Sequence, residues 1–311
     1  MYVTEIISPA RLSCNESVMT MTFKAADILL LLRPRQWTKN LLLFAGLIFS
    51  LNLFKLNLLL DSLIAFVSFC LLSSCVYIVN DIVDIEEDRK HPRKRHRPLA
   101  AGKIGIRQAA GVLIILLLVS LFLAWSINTL FLVMGLIYFA LCLAYSLWLK
   151  YTVILDVFAI AFGFLLRAAA GGAAINVEIS PWLLVCTLLL ALFLALTKRR
   201  QESINLEDNG KWHRKVLEHY PVQYLDQLIS IVTAATILAY SLYTFTASRS
   251  SLYMLTIPFV IYGIFRYLYL VHNEKLGENP EEILLRDTPT LVNIILWALV
   301  SIFILYLDWL R

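Results

Sequence analysis

The stretch Asn80-Asp81-Ile82-Val83-Asp84-Ile85-Glu86-Glu87-Asp88 carries the densest chemistry in the chain. Asp81, Asp84 and Asp88 stand at i, i+3 and i+7. On a helix that spacing puts three carboxylates on one face, about one turn apart. Carboxylates stacked at a helix C-terminus repel one another and oppose the helix dipole, so the pattern calls for a cation. Mg²⁺ suits it, because this hard ion takes oxygen ligands and is commonly shared between carboxylates and substrate phosphates. Asp81, Asp84 and Asp88 are therefore the candidate metal ligands. Glu86 and Glu87 are read as surface partners of neighbouring basic residues, since exposed pairs are common and weak. Asp81 and Asp84 lie closer to an apolar run, where an uncompensated charge is costly.

Six of the nine residues from Arg89 to Arg97 are Lys or Arg. Part of that charge can set membrane topology or touch anionic lipid. It is also what a polyphosphate needs on the side away from the carboxylates, because Arg gives bidentate contacts to phosphate oxygens.

The elements that must hold these groups are hydrophobic. Of 311 residues, 60% are hydrophobic and 16% charged, against roughly 25% charged in a soluble domain. The charges are bunched, which leaves uncharged runs such as Gly111–Trp125 and Trp182–Leu196. With their flanks these approach the roughly 20 apolar residues that cross a bilayer. The expected fold class is all-α: a polytopic integral membrane protein with about nine transmembrane helices. The segments fall near 38–54, 61–80, 108–126, 129–149, 153–174, 181–198, 228–247, 252–271 and 290–308. One domain covers 24–311, and residues 1–23 read as a dispensable tail.

Lys and Arg give the orientation. Arg33, Arg35, Lys39, the Arg89–Arg107 cluster, Lys150, Lys198–Arg200, Lys211, Arg214, Lys215, Lys275 and Arg286 fall on one side. Lys55, Arg249 and Arg311 fall on the other. The positive-inside rule predicts a cytoplasmic N-terminus and an external C-terminus. The acidic helix end then faces the cytoplasm from the cell membrane. Cys14, Cys70, Cys75, Cys142 and Cys186 show neither CxxC nor zinc spacing, so buried apolar cysteine is expected.

Asn80-Asp81-x-x-Asp84-x-x-x-Asp88 resembles the first Asp-rich motif of the UbiA-type membrane prenyltransferase superfamily, which closes the second of nine helices. The likeness runs from about Leu32 onward. The phosphoribosyltransferase branch acting on decaprenyl phosphate fits best. It is similar at Arg33-Pro34-Arg35-Gln36-Trp37-Thr38-Lys39-Asn40, His91 to Gly102, Tyr145 to Lys150, Leu166 to Gly172, Lys198-Arg199-Arg200-Gln201-Glu202, Phe265 to Leu268 and Pro280 to Asp287. Most superfamily members carry a second DxxxD motif at the end of helix six. Here that place reads Thr197-Lys198-Arg199-Arg200-Gln201-Glu202.

The resemblance implies transfer of a 5-phosphoribosyl group from phosphoribosyl diphosphate to a polyprenyl phosphate, with Mg²⁺ and membrane lipid as companions and no nucleic acid. It implies catalytic roles for Asp81, Asp84 and Lys39. Asn80, Arg97, Tyr145, Lys150, Arg167, Lys198, Arg199 and Glu202 are the candidate substrate contacts. No strong general base is required, because the attacking phosphate is already an anion. Lys150 and Lys198 end helices and can equally snorkel. Arg167 sits inside an apolar helix, so it should face a cavity or a partner. Asp156 is too distant to be that partner, about 16 Å away along the helix. A prenyltransferase with the same first motif remains the alternative enzyme, and a membrane transporter the alternative of another class.

Overall fold

Apolar runs bounded by Gly, Pro and Asn become helices with recognisable starts. The computed structural model describes residues 25–92, 94–209, 215–246, 251–273 and 287–310, and among them every regular element is helical. The longer helices are α3 (Leu56–Val83), α5 (Ile106–Ile127), α6 (Thr129–Leu147), α7 (Leu155–Ala174), α8 (Pro181–Asn209), α9 (Val222–Thr246), α10 (Ile257–Asn273) and α11 (Thr288–Leu310). Among the described residues, eight helical segments are long and apolar enough to cross a membrane. Gln108 closes back on the Gly105 N–H at the start of α5, and Asn128 accepts from the Phe131 N–H at the start of α6. Pro181 opens α8, where its missing N–H is not needed. The expected 1–23 tail with Cys14, the basic residues Arg93, Lys211, Arg214, Lys275 and Arg286, and most of the Pro280–Asp287 segment lie outside the described residues.

The segment expected at 38–54 is not one continuous helix. It is built from α1 (Ala25–Leu32), a 3-10 segment (Pro34–Leu43) and the short α2 (Phe44–Phe49). The sequence Arg33-Pro34 explains the break. A residue before proline is pushed out of the right-handed helical region, and Arg33 adopts φ 52°, ψ 59°. Leu51, at φ 62°, follows the end of α2.

A second break matters more for chemistry. Val83 ends α3, and Ile85–Lys90 forms a separate helix, α4. Asp84 sits at the step with φ −94°, ψ 12°. The three carboxylates therefore do not share one uninterrupted helical face.

Helix α7 forms the centre: 61% of its most apolar stretch is buried, against 11% for α5. Its small residues let backbone meet backbone. A Cβ at Gly46 would stand 2.9 Å from the Gly172 nitrogen, and one at Gly171 would collide with the Leu43 carbonyl. Small residues play this part in membrane helix packing, where apolar burial between helices gains little over lipid. Leu43, Phe69, Leu72, Phe131, Tyr138 and Ala170 pack on one side of α7. Val157, Phe193, Leu196, Leu225 and Tyr267 form a second cluster around α7, α8, α9 and α10.

Candidate active site

The charged groups gather where the helix ends meet. The C-terminal end of α3, the turn after α6, the start of α7, the C-terminal half of α8 and the approach to α9 are tied by direct bonds. Lys150 Nζ donates to Asp84 Oδ1 at 2.6 Å, Arg199 Nε to Asp156 Oδ2 at 2.7 Å, and the Tyr220 hydroxyl to Asp156 Oδ1 at 2.7 Å. The Ile154 N–H donates to the Tyr220 hydroxyl at 2.5 Å, where Ile154 turns the chain at φ 71°. At the other end of the bundle, Asn128 donates to the carbonyls of Ala173 and Ala174.

Asp81 and Asp88 are each 2% exposed. Arg97 Nη1 lies 3.1 Å from Asp81 Oδ1 and 2.5 Å from Asp88 Oδ2. Arg33 Nη2 also bonds Asp81 Oδ1, and Lys94 approaches Asp88 at 3.9 Å. Arg33 lies over the Tyr77 ring. Burial lowers the pKa of its guanidinium and the Asp81 carboxylate works in the opposite sense. Two buried carboxylates thus converge on one cation position, here taken by a guanidinium nitrogen. Two hard oxygen donors fit Mg²⁺ shared with substrate phosphates, the usual way that ion is held. No group of three or more His, Cys, Asp or Glu residues converges on a metal position among the described residues. The oxygens therefore fit a shared ion and not an all-protein cage.

Asp84 turns away from this pair. Its partner Lys150 is 5% exposed and lies 5.0 Å from the centre of the Tyr151 ring. Burial opposes the lysine charge, but the bond and field of Asp84 outweigh it and raise the lysine pKa.

The C-terminal half of α8 holds a third constellation; the helix runs on to Asn209, so Lys198 and Arg199 lie within it and Lys198 does not end it as expected. Arg199 is 1% exposed and donates to Asp156, to Glu202 Oε2 at 2.5 Å and to the Tyr145 hydroxyl at 3.3 Å. Asp156, at 0% exposure, is among the most deeply buried acids. Burial and the bond to Asp156 raise the Tyr220 pKa.

Arg167 resolves differently from a pair with Asp156. Its Nε donates to Asn40 Oδ1 at 2.8 Å, Nη2 to the Tyr138 hydroxyl at 2.7 Å and Nη1 to the Gly163 carbonyl at 3.0 Å. Asn40 in turn donates to Cys70 Sγ and Ser73 Oγ. This buried network fastens the 3-10 segment to α3 and α7.

The candidates therefore fall into groups. Asp81, Asp88 and Arg97 meet directly. Asp84 meets Lys150, Arg199 meets Glu202 and Tyr145, and Arg167 stands apart on Asn40. Asn80 is half-buried beside Asp81, Lys39 is half-buried next to Asn40, and Lys198 is half-buried next to Arg199. Glu86 bonds Arg89 at 2.8 Å on the exposed side of α4, the surface pairing expected of it. Sequence reasoning did not single out Arg33 beyond its charge, and it passed over Asp156, Tyr220 and Asn40 as site residues. A buried Asp at the start of an apolar helix was the available signal for Asp156.

Comparison with known proteins identifies the family and the fold. The sequence pattern of the UbiA prenyltransferase family matches residues 40–284. A decaprenyl-phosphate phosphoribosyltransferase of Corynebacterium glutamicum is 36% identical over 287 residues, 89% of this chain and 86% of that protein. One from Mycobacterium tuberculosis is 36% identical over 269 residues, 84% of this chain and 88% of that protein. A UbiA homolog from Archaeoglobus fulgidus, solved bound to DMAPP and Mg²⁺, superposes with a TM-score of 0.70 at 22% identity. That match covers 90% of this chain and 99% of the other.

Proposed function

The chain belongs to the UbiA prenyltransferase family and is a multi-pass membrane transferase, and from that premise we propose that it moves a 5-phosphoribosyl group from phosphoribosyl diphosphate to a polyprenyl phosphate. The observation that carries this reading is the basic run Lys198-Arg199-Arg200 within α8. Where a prenyl-diphosphate enzyme would carry a second pair of aspartates, this chain holds Lys198, Arg199 and Arg200. Arg199 is itself neutralised by Asp156 and Glu202. The acidic centre at Asp81 and Asp88 faces Arg33, Lys94 and Arg97, which suits phosphate-bearing substrates. The names of the relatives at 35–36% identity support the same reading.

In this proposal the lipid phosphate oxygen attacks the anomeric carbon of the ribose. The bond from that carbon to the diphosphate oxygen breaks, and diphosphate leaves with the electron pair. Direct attack inverts the centre. Mg²⁺ held by Asp81 and Asp88, with Asp84 close by, would neutralise the charge that develops on the leaving group. Arg97 and Lys94 bind phosphate oxygens with charge-assisted bonds. Asp84 keeps Lys150 charged and aimed for the same task, and Lys39 and Lys198 hold the second anion. The acceptor already carries about −1.5 to −2, so no residue need act as general base. Asn80 stands beside the carboxylates as a neutral hydrogen-bonding neighbour. Arg167 fixes the 3-10 segment that bears Lys39. Arg199 orients Tyr145 and Glu202 toward the site from a closed network. The soluble donor enters from the cytoplasm and the lipid acceptor from the bilayer.

The test is purified protein in detergent with Mg²⁺, labelled phosphoribosyl diphosphate and a panel of polyprenyl phosphates. Labelled phosphoribosyl lipid is the expected product. Robust transfer from a prenyl diphosphate to an aromatic acid, with no phosphoribosyl lipid formed, would overturn the reading.

A further inference from the structure

Asp81 carries two guanidinium groups on a single oxygen. Arg33 Nη2 and Arg97 Nη1 both bond its Oδ1. Arg97 has a second carboxylate in Asp88. For Arg33, Asp81 is the one carboxylate partner among the described residues. Asp81 is 2% exposed, whereas the Arg33 side chain is 22% exposed and that of Arg97 24%. The two arginines are thus the outer, more exposed groups over the carboxylate, and an ion that takes Asp81 Oδ1 must displace them.

Arg33 is also held in a backbone conformation that arginine rarely adopts. At φ 52°, ψ 59° it lies in the left-handed region, a strained state that persists in proteins only when the surroundings fix it. Here the surroundings are Pro34, the Gln36 N–H donating to the Arg33 carbonyl at 2.9 Å, the Tyr77 ring and the Asp81 carboxylate. The joint between α1 and the 3-10 segment is therefore set so that one guanidinium covers one acid. A bare divalent ion arriving at Asp81 would strand Arg33 without an anion. An ion that brings a diphosphate supplies new oxygens for the freed guanidinium.

We propose that Arg33 is an exchangeable cover for Asp81. It blocks the carboxylate against free metal ion, and it turns from the carboxylate to the diphosphate when metal and diphosphate arrive together. The inference rests on the reading of Asp81 and Asp88 as a metal–diphosphate site. Its consequence is that metal and diphosphate bind cooperatively, each raising the affinity for the other by the same factor.

The test is binding of Mn²⁺, an oxygen-seeking stand-in for Mg²⁺, followed by electron paramagnetic resonance with and without inorganic diphosphate. Wild type, Arg33→Gly, Arg33→Asn, Arg33→Lys and Asp81→Asn are compared in detergent. Gly and Asn accept the left-handed backbone, so these variants remove the guanidinium without adding strain. For Arg33→Gly, Mn²⁺ alone should bind several-fold tighter than to wild type, while the enhancement by diphosphate falls about tenfold. Arg33→Asn should repeat this result, and Arg33→Lys should lie between it and wild type. A residue that merely supported the fold would weaken both measurements together. Weaker or unchanged binding of Mn²⁺ alone in Arg33→Gly, or full retention of the diphosphate enhancement, overturns the proposal. Wild-type binding of Mn²⁺ and diphosphate by Asp81→Asn would instead remove the metal reading itself, and this inference with it.

Discussion

Asp156→Asn should destabilise the protein by about 3 kcal/mol. The carboxylate is 0% exposed, and its two oxygens accept separately from Arg199 Nε and the Tyr220 hydroxyl, each at 2.7 Å. Asn keeps the volume but turns one acceptor into a donor, so whichever way the amide points, one of those two donors loses its acceptor. Removing one partner of a buried ion pair costs about 3–5 kcal/mol. The low end applies because Glu202 remains 2.5 Å from Arg199 Nη1 and still neutralises it. At roughly 2 °C per kcal/mol for a chain of this length, the thermal midpoint should fall by about 6 °C. Tryptophan emission in detergent reads that midpoint. Adding Arg199→Met should restore part of the loss, with a coupling of about 1.5 kcal/mol or more between the two positions. A midpoint within about 2 °C of wild type, or simple additivity in the double variant, would refute the argument that this pair fastens α8 to α7.

Other outcomes follow from the same geometry. Asp81→Asn and Asp84→Asn should abolish phosphoribosyl transfer, whereas Glu86→Gln, on the exposed side of α4, should leave most of it; an equal loss in all three would show that the wrong face was chosen. Lys198→Ala should raise the KM for one substrate about ten- to a hundredfold, the worth of one charge-assisted phosphate contact, and unchanged kinetics would reduce Lys198 to a topology marker. Bonds from Arg266 hold the Asp287 carboxyl well below the usual carboxylate range. With its folded pKa depressed, Asp287 contributes stability that is complete above about pH 4, the unfolded value, and is lost as pH falls through the lower folded value. Asp287→Asn should therefore flatten the acid arm of a midpoint-versus-pH curve, and an unchanged slope would count against that pair.

Local signals were legible in the sequence and distant ones were not. The apolar runs gave the eight long helices because length and hydropathy alone decide whether a segment can span. The Asp81, Asp84 and Asp88 spacing located the acidic centre, yet it assumed an unbroken helix. What separates Asp84 from the other two is the step after Val83 and the pull of Lys150, 66 residues away. The broken first segment had a readable cause in Arg33-Pro34, hidden by the apolar run that follows it. A charge inside an apolar helix calls for a partner, and that partner, Asn40, lies 127 residues before Arg167. Arg199 was legible as a charge at a helix end. Glu202, three residues on in the same helix, was within reach of helical spacing; that Asp156 and Tyr145 complete the enclosure depends on how α6, α7 and α8 meet, and no spacing within α8 encodes that.

The backbone contact between Gly46 and the Gly171–Gly172 pair has a consequence for how this sequence can drift. Where main chain rests on main chain, no side chain remains to absorb a change. A single added methyl must push the whole 3-10 segment outward, and with it Lys39 and Arg33. Neutral variation should therefore collect on the lipid-facing side of Ile106–Ile127, where one apolar residue replaces another at little cost. The three glycines should stay fixed even though none of them carries a functional group. A saturation library scored for folded protein in the membrane would draw that boundary as a sharp contrast between two parts of one bundle.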